Sequence, residues 1–163
     1  GRLGRMPGNP QVQRLIHATM HVFTIRLADA DRGVYETLNL RVARHPSETA
    51  EYLLTRVLAY CLEYEEGIAF SEGISSTDEP AVLVRDLTGR VTVWIEVGAP
   101  DAERLHHGSK LADRVTVYTH RDPAKVRAPW AGKRIHHERT SRCTASRRAS
   151  WTRPWPRWSD VTR

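Results

Sequence analysis

In the stretch VTVWIEVG (residues 91–98), one acid closes a run of strong strand formers. A carboxylate buried there is costly unless a divalent metal, an arginine or protonation offsets its charge. Glu96 is therefore the residue around which a site would be built. Asp78 and Glu79 stand at the entrance to the strand expected to pair with it, and Glu48 and Glu51 stand where a helix begins. Acids aimed at one point from three elements suit Mg²⁺ or Mn²⁺. Such hard cations take one or two carboxylates together with phosphate oxygens and water. The same acids would serve a structural ion pair equally well, with Arg56, Arg85 or Arg104 as partner. Lys110 is the only lysine before residue 125. It falls on the helix expected after Glu96, where a cation could stabilise developing negative charge. His106 and His107 are adjacent, so they do not share a helix face as an i, i+4 pair would, and they read as surface residues. Asp86 reads as a turn residue, and Tyr60, Trp94 and Tyr118 as packing residues.

The elements that must position these groups follow from periodicity. Residues 21–28 (HVFTIRLA) and 34–42 alternate as two strands around the turn Asp29–Gly33, giving an antiparallel hairpin. Pro46-Ser47-Glu48-Thr49 opens a helix, with serine as a good cap and acids suited to the helix dipole. Leu53, Leu54, Val57, Leu58, Cys61 and Leu62 recur at helical spacing as far as Glu66-Gly67. Residues 68–71 form a short strand and 73–79 a loop. Residues 81–87 and 91–97 form a second hairpin around Thr88-Gly89, which sets Ala81 opposite Glu96 and Glu79 opposite Gly98. A helix over 101–113 and a strand over 115–119 complete the order: hairpin, helix, hairpin, helix, strand.

At 163 residues the chain holds about one domain. It lacks an apolar run long enough to span a membrane and the apolar segment of a secretory signal, so cytoplasm is the expected compartment. Cys61 and Cys143 are too few for a disulfide framework or a four-thiolate metal site. The pI of about 9.8 misleads about partners. Residues 133–163 hold nine Lys/Arg against two acids, a net of +7; residues 1–132 hold sixteen against seventeen, a net of −1. The core is not basic, whereas duplex binding usually shows a basic face.

From about residue 137 the composition is Arg, Ser, Thr, Pro and Trp, with no aliphatic side chain larger than alanine before Val161. It could be a disordered basic tail, or a binding tail that stacks Trp151, Trp155 and Trp158 on bases. A third reading fits the codons better. A frame one nucleotide earlier turns each Trp into Val or Leu, at spacings four and three, the pattern of an amphipathic helix. The 22 Arg against 3 Lys agree with a GC-rich gene. The expectation is a frameshifted native helix. An alternative frame that encodes no such helix in the gene would rule this out.

The stretches ARHPSET (residues 43–49), DEP and RDLTG (within 78–89), WIEVGAPD (94–101) and VTVYTH (115–120) resemble the YaeQ family, over about residues 19–122. The resemblance implies a PD-(D/E)xK nuclease-like, restriction-endonuclease-like core of α/β (α+β) class. That core is a mixed sheet flanked by helices, here with an extra N-terminal hairpin. The domain reading is a leader at 1–19, the nuclease-like domain at 20–122 and an irregular basic tail at 123–163. Glu96 matches the acid of the (D/E)xK strand, but the motif lysine position is Gly98. Pro80 is followed by Ala81 where some relatives carry aspartate, so Asp78 or Glu79 would supply that ligand. Glu48 matches the helix glutamate that often joins such sites. Two functions follow as expectations. One is Mg²⁺- or Mn²⁺-dependent phosphodiester hydrolysis, with Glu96, Asp78 and Glu79 holding metal, Glu48 assisting, and Lys110 or an arginine acting electrostatically. The other is a nuclease-like scaffold that no longer cuts and binds a protein or nucleic-acid partner.

Overall fold

The computed structural model describes residues 18–71 and 78–133 and the backbone of 142–143. Strand β1 (Thr19–Asp29) and strand β2 (Val34–Arg44) pair antiparallel as an isolated two-stranded sheet. Strict alternation puts Phe23, Ile25, Leu27, Leu38, Leu40 and Val42 on one face, which packs against helix α1 (Ala50–Leu62). The other face leaves Met20, Val22 and Tyr35 exposed.

Helix α1 is buried on two sides. Leu53, Val57 and Cys61, four residues apart, meet the hairpin, while Tyr52, Ala59 and Tyr60 meet the larger sheet. Its cap is Thr49, whose Oγ1 accepts from Tyr52 N at 3.1 Å, and not Ser47, whose hydroxyl engages His45 Nδ1 instead. Glu48 consequently precedes the helix. At the other end, the hairpin turn closes over the helix: Arg32 donates to Tyr64 O at 3.1 Å and to Cys61 O at 3.3 Å. A cation on the last carbonyls also suits the helix dipole.

The second sheet runs β3-β4-β5-β6-β7, from β3 (Ile68–Phe70), β4 (Val82–Arg85), β5 (Val91–Val97), β6 (Arg114–Tyr118) and β7 (Arg142–Cys143). The β3-β4-β5 part is antiparallel and the β5-β6-β7 part parallel, with helix α2 (Ala102–Leu111) as the β5–β6 crossover. Val93, Ile95 and Val97 face α1; Trp94 on the opposite side packs with Leu105, Val115 and Val117 beneath α2. The two sheets, with α1 between them and α2 outside, make a mixed α+β architecture.

The β4–β5 turn departs from the expected one. Asp86 N donates to Arg90 O, so the loop is Leu87-Thr88-Gly89, three residues rather than two, with Gly89 at φ +85°. A bulge then leaves Thr92 unpaired between Val91↔Arg85 and Val93↔Val84. The extra loop residue and the bulge cancel, and the expected register returns at Val84↔Val93 and holds to Val82↔Ile95. Asp86 is a turn residue: its Oδ1 accepts from Thr88 N and Arg90 N.

Regular elements continue past Asp122, where the family resemblance was drawn to end. Asp122 caps helix α3 (Pro123–Arg127), and a 3₁₀ turn (Ala128–Trp130) follows. Trp130 packs on the α2-side core and donates from Nε1 to Pro100 O at 2.8 Å. The tryptophans of the tail, Trp151, Trp155 and Trp158, lie outside the described residues.

Candidate functional site

Beyond the carboxyl ends of the parallel strands β5 and β6, the starts of α1 and α2 border a cleft of about 470 Å³. Such crevices are the usual ligand sites of sheets with parallel strands. Glu48, Tyr52 and Arg56 line it from the α1 side; Glu96, Gly98, Asp101 and Arg104 line it from the β5–α2 connection. The connection turns at Gly98, with φ +89°, a conformation that favours glycine. Gly98 N still donates to Tyr118 O at 2.9 Å, so the turn stays tied to β6.

Two carboxylate–guanidinium pairs dominate the cleft. Glu96 Oε1 accepts from Arg104 Nε and from Trp94 Nε1, each at 2.7 Å. Arg104 Nη2 also donates to Glu79 O at 2.6 Å, tying α2 to the entrance of β4. Burial pushes the Glu96 carboxyl above the ordinary carboxylate range, and Arg104 pulls it back only in part. In the second pair, Arg56 Nη2 lies 3.1 Å from Glu48 Oε1, with side chains 4 % and 0 % exposed. Glu48 Oε2 accepts from His45 N at 3.1 Å, and Arg56 Nη2 donates to Ala43 O at 2.6 Å. Burial raises Glu48 and lowers Arg56, each eased by the other. Glu48 Oε1 and Arg56 Nε, both buried, have no hydrogen-bond partner among the described residues.

The expected site residues therefore divide. Glu96 and Glu48, from different elements, share the cleft. Asp78 is exposed at the β4 entrance. Glu79 turns its carboxylate toward Arg85, with Oε1 3.6 Å from Nη2. Lys110 is exposed in the last turn of α2, about 9 Å along the axis from Arg104. The cation beside Glu96 is Arg104, a position sequence reasoning had offered only as a structural partner. His107 is exposed with its ring edge-on to Trp94 at 5.6 Å. Tyr52 was missed. Its signal was faint: a tyrosine one turn ahead of Arg56 on an amphipathic helix that carries a second tyrosine, Tyr60.

A mixed two-sheet α+β fold with a cleft at the ends of parallel strands, lined by buried acid–arginine pairs, defines the class. The match to the YaeQ protein family covers residues 15–147, and the chain belongs to that family. It is 34 % identical over 109 residues to the uncharacterized protein YaeQ of Escherichia coli strain K12, covering 67 % of this chain and 60 % of that one. The chain thus spans three fifths of that relative's length. The crystal structure of the YaeQ protein from Pseudomonas syringae matches with a TM-score of 0.71 at 38 % identity, over 78 % of this chain and 71 % of that one. The YaeQ protein of Xanthomonas axonopodis pv. citri matches with a TM-score of 0.59 at 36 % identity, over 63 % and 58 %.

Proposed function

We propose that this protein is a nuclease-like scaffold whose cleft binds a partner, nucleic acid or protein, without cutting it. The observation that carries this reading is the occupied carboxylate: Glu96, the acid a PD-(D/E)xK metal would need, already accepts from Arg104 at 2.7 Å. Three features agree with it. The motif lysine position is Gly98, and no group of three or more His, Cys, Asp or Glu among the described residues could hold a metal ion. Asp78 and Glu79 do not line the cleft with Glu96. The donor set as placed does not fit a Mg²⁺ or Mn²⁺ centre. The architecture this reading assumes is the helix–mixed sheet–helix core of α1, the five-stranded sheet and α2. No helix among the described residues is long and apolar enough to cross a membrane.

A second reading, divalent-metal-dependent phosphodiester hydrolysis, draws on a different observation. Both hydrogen bonds to Glu96 fall on Oε1, and Glu48 Oε1 lacks one altogether. Two incompletely satisfied acids thus border one cleft. Incubating the protein with single- and double-stranded DNA and RNA in Mg²⁺ or Mn²⁺ separates the readings. The scaffold reading expects oligonucleotides to stay intact; cleavage that disappears in Glu96→Ala would replace it with the hydrolytic one.

A further inference from the structure

One polar group in the cleft is used by neither ion pair. Tyr52, in the first turn of α1, lines the cleft, and the charges of Glu96, Arg56, Glu48 and Arg104 all bear on its phenol. Among the described residues its hydroxyl makes no hydrogen bond; only the backbone N–H is engaged, by Thr49 Oγ1. A phenol set among four charged groups with no partner of its own is an unspent donor. The ring also lies against Gly98, the motif lysine position. A Cβ built on Gly98 would come 3.4 Å from Tyr52 Cε2 and 3.6 Å from Cδ2. That is ordinary van der Waals contact, so the Tyr52 ring and the Gly98 turn form adjoining walls of the cleft.

The formal charges lining the cleft cancel, Glu48, Glu96 and Asp101 against Arg56, Arg104 and Arg121, so an anion is not excluded. Glu48 and Glu96 are each matched by an arginine, so neither repels an anion as an unpaired carboxylate would. Asp101 spends Oδ1 on Arg104 N, capping α2. Arg121, exposed on the rim, adds positive charge.

We propose that Tyr52 is the ligand-contacting residue of this cleft, donating its phenolic O–H to a phosphate-type oxyanion beside the Gly98 turn. The proposal rests on the reading of the cleft as a binding site and names what that site holds. Burial, with Glu96 adding to it, raises the phenol's pKa, which keeps the hydroxyl a donor at neutral pH.

The test is calorimetric titration of the full chain, wild type beside Tyr52→Phe, in chelator, with inorganic phosphate and separately with a short single-stranded oligonucleotide. Phenylalanine keeps the ring against Gly98, so thermal unfolding should not move. Affinity should fall about tenfold, the usual worth of a hydrogen bond to a charged acceptor. Loss with both anions, or with phosphate alone, supports a site for a free phosphate group; loss with the oligonucleotide alone supports one for a strand's backbone. Equal affinity in wild type and variant, or no binding of either anion to wild type at millimolar concentration, overturns the proposal. Oligonucleotide cleavage in Mg²⁺ would instead overturn the non-cutting reading and leave the Tyr52 contact standing.

Discussion

Glu63 is half-buried and Glu96 buried, and both are held by an arginine, yet their surroundings act on them in opposite directions. At the C-terminal end of α1, Arg114 grips Glu63 with two bonds, Nη1 to Oε1 at 3.1 Å and Nη2 to Oε2 at 2.5 Å, and Tyr118 adds its hydroxyl to Oε1 at 2.6 Å. Burial alone would raise this carboxyl, but the bonds from Arg114 and Tyr118 together hold it below the ordinary range. Glu96 receives its two bonds on a single oxygen, and burial wins. Glu48 behaves like Glu96, with one oxygen left without a bond. An acid whose lone pairs are filled is a strut. Acids that are buried but incompletely bonded, gathered at one cleft, mark a place where something else can bind.

The largest effect should come from breaking the deeper cleft pair. Arg56→Met leaves Glu48 charged and buried without its counter-ion, and urea unfolding should show a loss of about 3–5 kcal/mol. The double variant with Glu48→Gln should recover most of it. A double variant no more stable than Arg56→Met would mean that Arg56 acts through packing on Phe70, whose ring centroid is 5.7 Å from its guanidinium carbon. Next comes the support under Glu96. A Cβ at Gly108 would sit 2.7 Å from the buried Trp94 ring. Gly108→Ala should therefore cost about 1–3 kcal/mol and disturb the Trp94 fluorescence that reports its bond to Glu96. Unchanged fluorescence would show that the contact yields elsewhere. Removing the strut, by Glu63→Gln, should cost about 1–2 kcal/mol without altering ligand binding at the cleft.

The smallest effect is in the pH dependence, and it has opposite signs in the two regions. For Glu63 the folded pKa lies below the ordinary 4.5, so its contribution is present above that value and lost as pH falls through the folded pKa. For Glu48 and Glu96 the folded pKa lies above 4.5, so their contribution is fully present below it and lost as pH rises through the folded pKa. Unfolding free energies measured from acid to neutral pH should therefore fall less steeply on acidification in Glu63→Gln. In Glu48→Gln and Glu96→Gln the decline as pH rises past 4.5 should shrink. Matching profiles in all three would erase the distinction between strut and site.

Sequence reasoning recovered the elements and most of their order, because period-2 and period-3.6 patterns report which faces are buried. It put Glu96 near the end of a strand and Glu48 at a helix start, where the structure has them, because a lone acid among apolar residues, and an acid beside a helix start, leave local marks. It failed where the cause is not local. Thr49 rather than Ser47 caps α1 because Ser47 is engaged by His45, which no propensity encodes. The Thr92 bulge compensates the longer β4–β5 loop, and neither is visible without the other. Arg104 displaces Lys110 as the site cation because helix phase decides which residue looks back along β5. Tyr52 gained its place only when the Gly98 turn brought two distant segments within contact.

The central claim is that Arg104, not a metal, neutralises Glu96. It is tested most directly by calorimetric titration of Mn²⁺ and Mg²⁺ into wild type and Glu96→Ala. The account predicts that neither ion binds the folded wild-type protein at millimolar concentration. Saturable binding that vanishes in Glu96→Ala would contradict it and make the cleft a metal centre.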